Sequence, residues 1–307
     1  MRIAFVGLGN VGFPLAQNLL RVGHRMTVFD LDASRATPLV RQGATLAPSL
    51  QAAVENAEVA VTSLPNPAAV AAVVPGDRGL LSALPAGGLW IEMSTTDADD
   101  MRRYAEAAAS RGIDTLEAPV TGGVNRAWTG EISILVGGDE AVFKRYRPLL
   151  AAMGGEIEHM GPIGAASIVK VITNMLAFVH LWASGEAMML AKRAGVDLAK
   201  AYQGIRVSSG NSFAHETEGQ LVLNGSYNCA FTMALAMKDF NLALKLARET
   251  HTPLPLAELV HQIFTKARDT YGEQAWSTMA VKLLEDQLNE ALRAPGFPAV
   301  LPGTGKP

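Results

Sequence analysis

The sequence predicts an α/β domain with a doubly wound, mainly parallel sheet, followed by an all-α domain, the two joined by a long interdomain helix. Three observations carry this reading. Strand-like and helix-like patterns alternate through the first half of the 307-residue chain. That alternation builds parallel sheets covered on both faces. It stops near Gly161-Pro162-Ile163-Gly164. Beyond that point only helical periodicity remains, beginning with Ala165 to Gly195, about 30 residues and roughly 45 Å long.

Each element has its own signal. Short β-branched or apolar runs predict strands at Arg2–Val6, Arg25–Phe29, Val59–Ser63, Leu89–Glu92, Asp114–Ala118 and Ser133–Val136. Amphipathic periodicity predicts helices at Asp97–Ser110 and Glu140–Ala152 between them. After the long helix, further helices are expected at Asp197–Val207, Ala234–Thr250, Leu256–Tyr271 and Trp276–Leu292. The expected domains are residues 1–162 and 163–292. A Pro/Gly-rich tail, 293–307, is expected to be mobile.

Composition narrows the class. The chain is 49% hydrophobic and 18% charged, as core-forming globular chains are. Its net charge of −3 gives no electrostatic footprint for nucleic acid. The single cysteine, Cys229, excludes an intramolecular disulfide and reads as packing. The six histidines lack metal-ligand spacing, so no metal is expected, and His180 reads as an interior group. Met188-Met189 reads as core filling. The stretch from Met175 to Leu190 contains His180, Ser184 and Glu186 and reads as too short and too polar to span a bilayer. The chain opens on a strand rather than a secretory signal, and a cytoplasmic location is expected.

The first strand leads directly into Gly7-Leu8-Gly9-Asn10-Val11-Gly12. Such a string alone is weak, because 29 residues are glycine. Its placement is specific. A helix follows with Leu15, Ala16, Leu19 and Leu20 on one face, and the second strand ends at Asp30. This is the order of parts in a dinucleotide-binding Rossmann unit. Gly7 permits the tight turn, Gly9 admits a pyrophosphate to the backbone, and Gly12 lets the helix pack on the strand. The helix N-terminus then offers N–H groups to the phosphates. Leu64, Pro65 and Thr95 leave other strands at their carboxyl ends, where ligands of such sheets bind. A plain strand-to-helix turn without ligand is the alternative.

Three further segments carry polar chemistry. Glu117 to Gly130 leaves a strand through Thr121-Gly122-Gly123, whose backbone N–H groups can cradle a carboxylate; standing alone it also reads as a glycine turn. Lys170 and Asn174 are four apart and share one face of an otherwise apolar helix. Such groups are costly there unless they have partners, or unless the lysine stem snorkels to solvent. Lys238-Asp239-Phe240 opens another helix and alone reads as a charged surface turn.

Together these segments resemble the β-hydroxyacid dehydrogenase family, the group containing 3-hydroxyisobutyrate dehydrogenase and tartronate semialdehyde reductase, over roughly residues 1–290. The family's N-terminal signature is similar to Gly7 to His24, and its substrate motif to Glu117 to Gly130. Its catalytic Lys-x-x-Asn-Asn resembles Lys170 to Asn174, with Thr173 in place of the first Asn and the catalytic Asn174 retained. Its Lys-Asp-Leu resembles Lys238-Asp239-Phe240. The family's Ser-Gly-Gly followed by Gly-Ala is here Thr121-Gly122-Gly123, then Asn125-Arg126-Ala127-Trp128, so the substrate does not carry over.

The resemblance implies reversible hydride transfer between a nicotinamide and a small anionic 3-hydroxy acid. Lys170 would exchange the hydroxyl proton and Asn174 would orient it or the substrate oxygen. Thr121, Gly122 and Gly123 would hold the carboxylate, Arg126 a second anionic or polar group, and Lys238 would serve cofactor and substrate alike. A free lysine titrates at about 10.4, so a base near neutral pH needs a shift of about 3 units, which an apolar face and a cationic ring both favour. NAD is expected over NADP. A 2′-phosphate beside Asp30 would meet a like charge, costing about 4 kcal/mol per unit pair at about 4 Å and a dielectric near 20. Arg35 is the nearby cation that could offset this. A homodimer or homotetramer is expected. Two other readings stay open: a non-catalytic NAD-binding sensor or scaffold, and an imine reductase. Retention of Lys170 and Asn174 disfavours the first, and Lys170 disfavours the second.

Overall fold

The computed structural model describes residues 1–303. Nine strands form one sheet: β1 (Arg2–Val6), β2 (Arg25–Phe29), β3 (Thr45–Leu46), β4 (Val59–Thr62), β5 (Leu89–Glu92), β6 (Asp114–Glu117), β7 (Val120–Thr121), β8 (Ser133–Gly138) and β9 (Ile157–Gly161). Their order is β3-β2-β1-β4-β5-β6-β8-β7, with β9 beside β8. All neighbours from β3 to β6 run parallel. β8 runs antiparallel to β6 and β7 and parallel to β9. The fold class is the one expected.

Alternation along each strand explains why helices cover both faces. Ile3 and Phe5 of β1, with Val59, Val61, Leu89 and Ile91, enter one core. Ala4 and Val6, with Ala60 and Trp90, enter the other. Strand order reverses between β1 and β4, which places a crevice at their carboxyl ends.

Three strands were not expected. β3 and β7 have two residues each, too few to show a period. β9 reads Ile-Glu-His-Met-Gly without alternation, and its register against β8 shifts after Val136.

By its contacts the chain divides into two compact units after Lys170. The reason is local. Glu117 of β6 binds the first turn of the long helix Ala165–Arg193, so that turn belongs with the sheet.

The second unit is helical. Its core gathers Phe178, Leu181, Met188 and Met189 of the long helix with Phe240, Val260 and Phe264. The helices Leu198–Arg206, Met233–Glu249 and Pro255–Tyr271 lie within a residue of expectation. Residues 276–292 do not form one helix. A 3-10 turn at Ser277–Ala280 precedes a short helix at Lys282–Leu288. Ser277 N donates to Phe231 O at 2.9 Å and Thr278 Oγ1 donates to Tyr227 O, which bend the chain away from helical geometry. Asn289, at φ 48°, ends the helix.

The tail expected to be mobile is packed at its start. Arg293 Nη1 donates to Glu285 Oε1 at 2.9 Å, and the Phe297 ring stands edge-on to Tyr202 at 4.9 Å. Residues 304–307 of that tail lie outside the described residues. His180, expected inside, is exposed; the buried histidine is His215, held by Ser184 Oγ at 2.7 Å and Tyr202 O at 3.0 Å. The long helix has 29 residues, close to the length expected; by length and composition alone it would suffice to cross a bilayer, where the stretch Met175 to Leu190 reads as too short and too polar. Its first three turns are nonetheless tied by polar bonds, from Ser167 to Glu117 and from Asn174 to Asp239.

Candidate active site

Gly7 ends β1 with φ +93°, where a Cβ would lie 2.3 Å from the Ser63 carbonyl oxygen. Its N–H donates to Phe29 O at 2.9 Å. A Cβ on Gly12 would lie 2.1 Å from the Gly7 carbonyl oxygen. Gly9 differs: the nearest atom to a Cβ there is Arg35 Nη1, 3.8 Å away. Leu8 is buried, Val11 half-buried and Asn10 exposed. The helix Gly12–Arg21 has no side-chain cap at its N-terminus; Phe13 N donates to Gly9 O at 3.0 Å.

Asp30 closes this turn. Its Oδ2 accepts from Leu8 N at 2.7 Å and its Oδ1 from Asp32 N at 2.8 Å. Arg35 Nε lies 3.4 Å from Asp32 Oδ2. An uncapped helix end, an open Gly9 and a terminal carboxylate together fit a dinucleotide.

The turn after β4 is built from the neighbouring strand. Leu64 N donates to Ser94 Oγ at 2.7 Å, and Ser94 N donates to Glu92 Oε1 at 2.6 Å. Thr62 Oγ1 donates to Glu92 Oε2 at 2.7 Å while accepting from Trp90 Nε1 at 2.9 Å. Glu92 is fully buried, and burial pushes its carboxyl up to about 7 against the pull of those hydrogen bonds. Pro65 is exposed and Thr95 half-buried at the ends of the same strands.

The second glycine turn follows β7. Gly122 and Gly123 take φ +111° and +92°, and the helix Val124–Thr129 begins at once. Thr121 and Gly122 are half-buried. Arg126 folds back over the turn: a Cβ on Gly122 would lie 3.2 Å from its Cδ and 3.3 Å from its Nη1. Arg126 forms no ion pair among the described residues. A Cβ on Gly123 would meet Asn125 Oδ1 at 2.8 Å. This short helix rests on the one that follows Gly12. Asn18 Nδ2 donates to Ala127 O at 3.0 Å, and the Phe13 and Trp128 rings lie 5.5 Å apart.

Lys170 is 6% exposed. One turn before it, Glu117 accepts from Gly164 N at 2.7 Å, Ala166 N at 2.8 Å and Ser167 Oγ at 2.5 Å. Burial raises the Glu117 carboxyl, and these donors oppose that shift. In the second unit, Asn174 Nδ2 donates to Asp239 Oδ2 at 2.5 Å, and Lys238 Nζ lies 3.0 Å from Asp239 Oδ1. Thus Gly7, Gly9, Gly12, Asp30 and Leu64 come together, Thr121 to Arg126 form a second cluster, and Asn174 joins Lys238 through Asp239. Asp239, Glu92 and Glu117 were not singled out as site residues. Glu117 and Asp239 stand inside the motifs read from the sequence, while Glu92 shows only as an acid where an apolar interior is expected.

Residues 2–161 match the NAD-binding domain of 6-phosphogluconate dehydrogenase. Residues 164–284 match the domain described as NAD-binding of NADP-dependent 3-hydroxyisobutyrate dehydrogenase. A 3-hydroxyisobutyrate dehydrogenase of Pseudomonas aeruginosa is 38% identical over 86% of this chain and 91% of its own. The chain belongs to the β-hydroxyacid dehydrogenase family. Within this family, 2-(hydroxymethyl)glutarate dehydrogenase of Eubacterium barkeri is 36% identical over 87% of this chain and 89% of its own. A solved structure of Mycobacterium tuberculosis 3-hydroxyisobutyrate dehydrogenase with L-serine superposes with a TM-score of 0.83 at 32% identity, covering 92% of this chain and 98% of that one. The protein is therefore an NAD(P)-dependent oxidoreductase acting on CH–OH donors, as members of the β-hydroxyacid dehydrogenase family are.

Proposed function

We propose that this dehydrogenase interconverts a small 3-hydroxy acid and its semialdehyde, with NAD preferred and Lys170 as the proton-transfer group. The observation that carries the reading is the placement of Lys170: buried, one turn beyond a helix start fixed by Glu117, with Asn174 next on its face. The nicotinamide, when bound, takes up a hydride in oxidation and supplies it in reduction. As the amine, Lys170 accepts the hydroxyl proton at Nζ; as the ammonium, it returns a proton to the carbonyl oxygen. Asp239 holds the Asn174 amide, and Asn174 orients the reacting oxygen or the lysine. Thr121, Gly122 and Gly123 receive the carboxylate through backbone N–H groups and the Thr121 hydroxyl. Arg126 meets a second anionic or polar group.

Lys170→Ala tests this reading. Turnover should fall by a factor on the order of 10² or more, while NAD affinity stays near that of the parent. Near-normal turnover in a folded variant sinks it.

NAD preference is supported by Asp30, whose carboxylate faces the turn, and by Asp32, which already engages Arg35. Initial rates at matched concentrations should give NAD the higher kcat/KM. An equal or higher value for NADP would make Arg35 the residue that governs the pocket. The same reading places the protein in the cytoplasm as a homodimer or homotetramer, which analytical ultracentrifugation would resolve.

A further inference from the structure

Glu117 and Glu92 are register partners on adjacent parallel strands, so both project to the same face of the sheet. Both are almost fully buried. Their partners differ. Glu92 is committed to the strand ends around Thr62 and Ser94. Glu117 reaches out of the sheet to the long helix and takes three donors from its first turn: Gly164 N, Ala166 N and Ser167 Oγ. A carboxylate at a helix N-terminus is favoured by the unsatisfied N–H groups and the dipole there.

The space for this carboxylate is reserved. Gly137 of β8 pairs with Glu117, and a Cβ on Gly137 would sit 2.2 Å from Glu117 Oε1. Any larger residue would push the carboxylate off its donors.

The contact fixes more than helix stability. Two backbone donors set how far along its axis the helix lies. The Ser167 hydroxyl sets its rotation. Lys170 is three residues beyond Ser167, on the same face. On the strand side, Glu117 is followed within four residues by Thr121, where the acid turn begins. One carboxylate thus stands between the lysine and the turn proposed to hold the substrate.

We propose that Glu117 is a positioning residue for proton transfer, its carboxylate setting the axial place and rotation of the Lys170-bearing helix against the acid turn. This rests on the assignment of Lys170 above.

The test uses the full-length protein, a 3-hydroxy acid it oxidises, and four variants beside the parent. Glu117→Ala removes the carboxylate. Gly137→Ala displaces it without touching a polar group. Ser167→Ala deletes the rotational contact alone. Glu117→Gln keeps the length and one acceptor. Glu117→Ala and Gly137→Ala should lower kcat by about 10–100-fold, the cost of misplacing a reacting group by about 1 Å. Ser167→Ala should follow in the same direction with a smaller loss, and Glu117→Gln should recover most of the rate. NAD affinity should stay within about twofold, and the ionisation limb of the kcat–pH profile should move with each loss of rate. A purely structural role would lower the melting temperature and leave kcat and its pH profile of the folded enzyme unchanged. Should Glu117→Ala fail to fold, Ser167→Ala decides. Unchanged kcat and pH profile in folded Ser167→Ala and Gly137→Ala overturn the proposal. Lys170→Ala, run in parallel, separates the two ideas. If it retains turnover, the lysine assignment fails. If it loses turnover while the Glu117 series does not, only the positioning role fails.

Discussion

The two glycine turns at the carboxyl end of the sheet are closed by different material. After β1, the chain's own backbone forbids side chains: the Ser63 carbonyl stands against Gly7, and the Gly7 carbonyl against Gly12. After β7, no backbone closes over Gly122 or Gly123. Their outer sides are covered by the Arg126 and Asn125 side chains instead. Main chain cannot be exchanged by mutation, whereas side chains can. The first turn is therefore invariant in shape whatever acid is handled. The second takes its character from residues particular to this chain.

The largest effect should come from breaking the first turn. Gly7→Val forces a side chain into the Ser63 carbonyl at an unfavourable φ. Thermal melting should drop by about 5–10 °C, and NAD binding should be lost in a nucleotide titration. Parent-like melting and affinity would erase the distinction between the turns. Gly122→Val should behave otherwise. The Arg126 side chain can swing aside, so strain of about 1–2 kcal/mol remains and the fold survives. Substrate KM should rise by about 10-fold or more as a charge-assisted contact is lost, with the KM for NAD unchanged.

Arg126→Ala sharpens the contrast further. It leaves the glycine geometry intact and removes only the cover. The ratio of kcat/KM between a dicarboxylic and a monocarboxylic 3-hydroxy acid should change by about 10-fold, the worth of one hydrogen bond to a charged group. A uniform change across both acids would move the second anion elsewhere.

The smallest effect concerns the support of the first turn. Glu92 holds Ser94, which holds Leu64 beside Gly7. Its carboxyl titrates at about 7 in the fold against an ordinary 4.5, so the folded state binds the proton more tightly. Stability contributed by this group is greatest in acid and declines as pH rises from about 4.5 through about 7. Glu92→Gln keeps the Ser94 acceptor and removes the titration. Its melting temperature should fall less than the parent's between about pH 5 and 8. Parallel slopes in the two proteins would show that Glu92 does not titrate there.

What could be read from the chain alone follows the same division. The Gly7 turn was legible because its constraint is steric and each glycine has one reason to be there. The parallel strands β1, β4 and β5 were legible because apolar runs mark buried strands, and β2 because its buried residues alternate. β3 and β7 were not, since two residues carry no period. The break at residues 276–292 was hidden because its cause is remote: Ser277 and Thr278 bond to Phe231 and Tyr227, far back in the sequence. Lys170 and Asn174 stood out as polar groups on an apolar helix. Their supports, Glu117 and Asp239, stood inside the quoted motifs without a role of their own, because a buried acid shows its role only when its donors are seen.

The foothold beneath the acid turn has a consequence for how such a protein changes its substrate. The short helix after Gly123 stands on the neighbouring helix through two contacts, the Ala127 carbonyl on Asn18 and the Trp128 ring on Phe13. The first is made by backbone, which any residue at 127 supplies. The second depends on a particular ring. A cassette exchanged between relatives that ends at Arg126 would swap the walls of the acid turn and leave both contacts in place. One that ran on through Trp128 would leave Phe13 facing a stranger and would need a second change at position 13 to settle. The chain thus contains its own splice point, directly after the arginine, where recombination can alter chemistry without disturbing the helix that follows the cofactor turn.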